Sequence, residues 1–219
     1  PQARHYVMVD TAGMRRVGKI DNSVERFSRF RAEKSIKDAD VVVLLTDAST
    51  QPTAMDKKIA ATVLRENKGC VVVINKWDLA ETTQRQYAPE VQRLMPFMGH
   101  CPIIFASAKT GYNIRRTVEA IDHGAAQVNG DLPTGVLNRV LEDAYARVAP
   151  PSQKGRRLKL YYATQVSRAP IIIRIFCNDP KRIVPAYRTY LTRTLRRHFG
   201  LEGAPILLQF RGRTRPANS

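Results

Sequence analysis

Four short, nearly unbroken apolar runs constrain this chain most: residues 7–10, 41–47, 70–75 and 103–107. They are rich in β-branched residues and barely alternate with polar ones, the pattern of strands buried on both faces. Helix-length stretches lie between and after them, over residues 23–37, 55–67, 89–95 and 113–127. Such alternation predicts a parallel sheet with helices on both sides. Right-handed crossovers then gather the loops that follow the strands along one edge, where ligands bind.

The pattern changes at Asn129-Gly130-Asp131-Leu132-Pro133, which is turn chemistry. A helix is expected over 134–148, with Thr134 as its N-cap. Strands over 158–165 and 171–177 follow, then a helix over 183–199 that stops at Gly200, and a strand over 206–210. Val184, Tyr187, Leu191 and Leu195 form one stripe along that helix. The order α-β-β-α-β predicts a small α+β domain. The expected division is a first domain over 1–130, a second over 131–212, and a basic disordered tail over 213–219.

The 43% hydrophobic content lets the chain bury a core, and no apolar run is long enough to span a membrane. Cys70, Cys101 and Cys177 sit in or beside apolar runs without metal-ligand spacing, so buried thiols in a reducing compartment are expected. The net charge is +17 and unevenly placed. Residues 131–219 hold 17 Lys and Arg against 5 Asp and Glu, whereas residues 1–130 hold 19 against 14. A polyanionic partner is expected for the second domain, nucleic acid rather than membrane. The candidate contacts are Arg156, Arg157, Lys159, Arg196 and Arg197.

Three signatures sit where strands end. Asp10-Thr11-Ala12-Gly13 places a carboxylate for a magnesium shell, through water, and a glycine amide that a terminal phosphate can approach. In Asn75-Lys76-Trp77-Asp78, the Asp78 carboxylate can accept from N1 and N2 of guanine, a donor pair that adenine lacks. The Lys76 stem can lie over the base, and Asn75 can tie loops together. In Ser107-Ala108-Lys109, backbone amides can donate to guanine O6. Each motif is weak alone, but the three occur in one order, each after a buried-type strand.

With these motifs the chain resembles a GTPase domain of the translation-factor class. The longer runs Asp10 to Lys19, Val24-Glu25-Arg26-Phe27-Ser28 and Asn75 to Leu79 are similar to the second GTPase domain of the Der (EngA) family. Pro150 to Arg157, Tyr161 to Gln165 and Asn178-Asp179-Pro180 resemble that family's KH-like domain. The resemblance implies a P-loop GTPase fold followed by a KH-like fold. It also implies GTP or GDP and Mg2+ as ligands, potassium assisting hydrolysis, and a monomeric cytoplasmic protein acting in maturation of the large ribosomal subunit on rRNA. The lysine-bearing phosphate loop should precede residue 7, and no Gly-x-x-x-x-Gly-Lys-Ser/Thr follows Lys109. The expectation is an N-terminally truncated piece that lacks the phosphate loop and first switch, so that hydrolysis by the piece alone is not expected. The alternative is a non-catalytic RNA-binding protein on a degenerate GTPase scaffold. Gly200-Leu201-Glu202-Gly203 has the letters of the KH nucleic-acid clamp but lies between a helix and a strand, so docking against the GTPase domain is expected instead.

Overall fold

In the computed structural model, residues 5–10, 22–128, 130–152 and 155–212 are described. The first part runs α1 (Asn22–Asp38), β1 (Val41–Asp47), α2 (Ala54–Arg65), β2 (Gly69–Asn75), α3 (Gln84–Leu94), β3 (Ile103–Phe105) and α4 (Ile114–Val128). The three strands form a parallel sheet in the order β1-β2-β3, with Val43 opposite Val71 and Val73 opposite Ile104. Central β2 is buried along almost its whole length. Strand residues alternate between faces. Val71 and Val73 pack with Ile104, Ala106 and Ile121 of α4 on one side. Cys70, Val72 and Ile74 pack with Ala60 and Val63 of α2 and Val91 of α3 on the other.

Two predicted elements are corrected. Residues 7–10 are not a strand: Val7 is 94% and Met8 88% exposed. A strand exists only against another backbone, and among the described residues β1 is paired on one edge alone. Helix α3 begins at Gln84, five residues before the predicted start. Gln86 Oε1 accepts from both the N–H (3.3 Å) and the hydroxyl (2.9 Å) of Thr83, fixing the first turn. Pro89 therefore lies inside the helix.

The second part runs α5 (Thr134–Arg147), β4 (Leu160–Ser167), β5 (Ile171–Cys177), α6 (Pro185–Phe199) and β6 (Ile206–Gly212). This is the expected α-β-β-α-β order. Pro133, not Thr134, occupies the N-cap of α5. Strand β5 is central, antiparallel to β4 and parallel to β6. Its alternate residues Ile171, Ile173, Ile175 and Cys177 are fully buried. They meet Leu137, Val140 and Leu141 of α5 and Tyr187, Leu191 and Leu195 of α6. On the opposite face Tyr162 stacks on Phe176, with ring centroids 4.3 Å apart. All three cysteines are buried and free. Among the described residues no helix is long and apolar enough to cross a membrane. The segment 213–219, expected as a tail, lies outside the described residues.

Candidate guanine-binding site

The loops after β2 and β3 leave the same end of the sheet and are cross-tied. Asn75 Oδ1 accepts from the Ala108 N–H at 3.0 Å. The Trp77 N–H donates to Ala106 O at 3.0 Å, and the Ala106 N–H to Ile74 O at 2.9 Å. The Ser107 hydroxyl donates to Asp78 Oδ1 at 2.5 Å and accepts from the Thr110 N–H at 3.2 Å. Ser107 is fully buried, so its hydroxyl is a fixed peg for the carboxylate. Asn113, in the left-handed region at φ 55°, closes the loop by donating to Phe105 O at 2.8 Å.

These ties form a cavity of about 260 Å³ lined by Asn75, Lys76, Asp78, Leu79, Ala108 and Lys109. Five of the six guanine-site candidates line it directly, and the sixth, Ser107, supports Asp78 from behind. The arrangement fits a flat heterocycle that offers paired donors. Asp78 is exposed and keeps acceptor capacity beyond the Ser107 bond. A carboxylate covered by a ring with no matching N–H pair would be left desolvated and unpaired, which is the basis of rejection.

Sequence reasoning missed one member. Lys76 adopts a left-handed backbone, φ 59° and ψ 35°, and its ammonium lies 2.6 Å from Asp47 Oδ2. Asp47 ends β1, directly opposite Asn75 in the sheet register. Its other oxygen accepts from the N–H (2.9 Å) and hydroxyl (2.7 Å) of Ser49. The bond from Lys76, then those from Ser49, hold the Asp47 carboxyl down at about 2. The sequence signal was a carboxylate closing an apolar strand run, at the same strand-end position as Asn75.

The phosphate side of the site is different. Asp10 is exposed and does not line the cavity. Thr11, Ala12 and Gly13 lie outside the described residues. Among the described residues no group of three His, Cys, Asp or Glu can hold a metal ion. Of the predicted magnesium site, the described residues thus hold one exposed carboxylate, Asp10.

Of the basic candidates, Arg156, Arg157, Lys159 and Arg197 are exposed. Arg196 is not part of that surface. Its guanidinium turns inward to Leu201 O and to Ala204 O, the latter at 2.7 Å. Burial lowers the pKa of this guanidinium.

A family model described as the elongation factor Tu GTP-binding domain matches residues 2–127, and one described as the KH-domain-like C-terminal domain of EngA bacterial GTPase enzymes matches residues 132–211. The fold and the two-loop cavity thus define a GTP-binding domain joined to a KH-like domain. The chain belongs to the Der (EngA) family. It is 40% identical to the GTPase Der of Caldanaerobacter subterraneus subsp. tengcongensis over 213 residues, 96% of this chain and 48% of that protein. It is 40% identical to the GTPase Der of Moorella thermoacetica over 216 residues, 97% of this chain and 49% of that one. The chain therefore spans about half the length of these relatives. Among solved structures, Era in complex with MgGDPNP and a segment of 16S ribosomal RNA aligns over 92% of this chain and 74% of that one, at 16% identity and a TM-score of 0.44.

Proposed function

We propose that the chain is the guanine-reading and C-terminal portion of a GTP-binding and GTP-hydrolysing switch in large ribosomal subunit biogenesis. The observation that carries this reading is the convergence of Asp78, Asn75 and Ala108 on one cavity, with Ser107 fixing the carboxylate. Asp78 accepts from N1 and N2 of guanine. The Lys76 stem covers the base, and the amides of the loop 107–109 face O6. In this reading the phosphates are held by a preceding stretch of a longer chain. Asp10 then joins the magnesium shell through water, Thr11 to Gly13 sense the terminal phosphate, and potassium assists hydrolysis. The unpaired edge of β1, with Leu45 59% exposed, supports a further strand there. The division falls at 130/131, and 213–219 form a basic tail. The protein works in the cytoplasm as a monomer, and its C-terminal domain meets rRNA phosphates through Arg156, Arg157, Lys159 and Arg197.

Calorimetric titration of the 219-residue chain with GDP and ADP tests the base-reading claim. GDP is expected to bind measurably tighter. Asp78→Asn should remove that preference, while Lys109→Ala should change it far less. Equal binding of both nucleotides by the unaltered chain rejects the reading.

The exposed basic surface favours one other reading, a non-catalytic RNA-binding protein on this scaffold. Both readings expect RNA affinity to fall with salt. Only the first expects guanine selectivity.

A further inference from the structure

A second cavity, of about 280 Å³, opens between α5 and the start of β4, where Leu141, Glu142, Tyr145, Ala146, Leu160 and Tyr161 line it. It shares no residue with the guanine-site cavity or with the Gly-x-x-Gly segment between α6 and β6. Its base is apolar: Leu141 is buried, and Leu160 packs against the C-terminal core. Two tyrosines supply rings. Tyr145 donates its hydroxyl to Leu158 O at 3.0 Å, which fixes its orientation. Tyr161 is the extra residue of a bulge, because Leu160 faces Cys177 and Tyr162 faces Phe176 across the ladder. A bulge at a sheet edge re-aims a side chain. This one leaves Tyr161 43% exposed at the cavity.

One charged side chain lines the cavity. Glu142 is exposed, and among the described residues it makes no hydrogen bond or ion pair. The chain beside the lining is basic. Arg147 follows Ala146, while Arg156, Arg157 and Lys159 lead into Leu160, and all four are exposed. Asn178 holds the latter segment, accepting from the Lys159 N–H at 2.9 Å and donating to Arg157 O at 2.9 Å.

These features ask for one kind of occupant. An apolar slot with aromatic walls takes a flat ring. The carboxylate asks for an N–H donor and repels phosphate inside the slot. The cations ask for an anion just outside it. A nucleotide splayed from a single strand offers both, an amine on its base and a phosphate behind it. An arginine side chain would satisfy Glu142 and the rings, but a basic polypeptide carrying it would meet four cations on a chain of net charge +17.

We infer that this cavity receives one extruded base of single-stranded RNA, a base that carries an exocyclic amine. Tyr161 stacks on the base, Glu142 accepts from its amine, and Arg156, Arg157 and Lys159 hold the flanking phosphates. The inference rests on the reading above that this domain meets RNA phosphates by charge, and adds base selection to it.

Fluorescence anisotropy of the 219-residue chain with labelled oligocytidylate and oligouridylate of equal length tests it. Oligocytidylate should bind about fivefold tighter or more, because uracil presents a carbonyl where cytosine presents its amine. Glu142→Gln should bring the two within about twofold, since an amide can donate as well as accept. Ala146→Trp fills the cavity from an exposed position and should weaken oligocytidylate about tenfold without changing the salt slope. Arg157→Ala should weaken both oligomers alike and lower the salt slope by about one. Equal binding of both oligomers by the unaltered chain, falling with salt, overturns the inference and leaves the RNA reading standing. A cytidylate preference that survives both Glu142→Gln and Ala146→Trp also overturns it, because base selection then lies elsewhere. Binding of neither oligomer overturns the RNA reading and the inference with it. An oligoarginine peptide supplies the last arm: binding that Glu142→Gln abolishes, without any cytidylate preference, makes the cavity a cation site and overturns the inference.

Discussion

The two sheets finish their edges in opposite ways. Strand β4 lies at one edge of the C-terminal sheet, and other groups cover its outward backbone. Asn138 of α5 accepts from the Ala163 N–H at 2.7 Å and donates to Ala163 O at 2.9 Å, as a paired strand would. Two positions on, Gln165 donates to Gly130 O and accepts from the Leu132 N–H. Strand β1 at the edge of the first sheet has no such cover among the described residues. Val43 is 40% and Leu45 59% exposed there. An edge with free backbone and apolar side chains invites another strand, and proteins that end at such an edge blunt it. The β4 edge is thus closed by side chains and loop backbone, whereas among the described residues nothing closes the β1 edge.

Asn138→Leu should break the comparison most severely. It leaves both backbone groups of fully buried Ala163 without partners, a loss of about 2–4 kcal/mol from the C-terminal domain. Denaturant melts followed through Cys177 accessibility measure it, and a loss under about 0.5 kcal/mol would mean that the edge is not closed by this side chain. Asp47→Asn should cost about 1 kcal/mol in the first domain, because Lys76 keeps only a neutral partner. The pH dependence has a defined sign. The folded pKa of about 2 lies below the usual value of 3.8, so this stabilisation is present above 3.8 and fades as pH falls toward 2. An acid titration of the unaltered chain against Asp47→Asn should show the difference shrinking only in that window. Arg168→Ala removes a two-pronged but exposed pair with Asp131 and should cost under about 1 kcal/mol. Leu45→Lys should change stability least, within about 0.5 kcal/mol, yet reduce self-association seen by light scattering. Unchanged association would mean that the β1 edge is not the sticky surface.

The strands that could be read from sequence were those whose signal is their own. The β-branched runs of β1, β2 and β5 stand out because burial on both faces, or on alternate residues, leaves its mark within the strand. The segment 7–10 has the same composition and is no strand, because pairing depends on a neighbour that composition does not reveal. The start of α3 was hidden by Pro89, which resembles a first-turn proline, while the real signal lay in the spacing of Thr83 and Gln86. In the candidate site, the clustering of Asn75, Asp78 and Ser107 was legible because the three stand in short motifs directly after β2 and β3. Asp47 was not, since its partner Lys76 is 29 residues away and meets it only through sheet register. Arg196 was read as surface charge because spacing along a helix cannot show a side chain curling back to the carbonyls beyond its own C-terminus.

Trp77 is the chain's single tryptophan, and it sits between Lys76 and Asp78. Its indole packs against Phe105 at 4.4 Å and Tyr87 at 5.6 Å, so the rings of β3 and α3 hold it. The molecule therefore carries a single native lamp, placed in the loop after β2 that lines the candidate cavity. Emission excited at the red edge of the protein band follows that loop without any label, and stays blind to events in the C-terminal domain that do not travel through the strands to reach it.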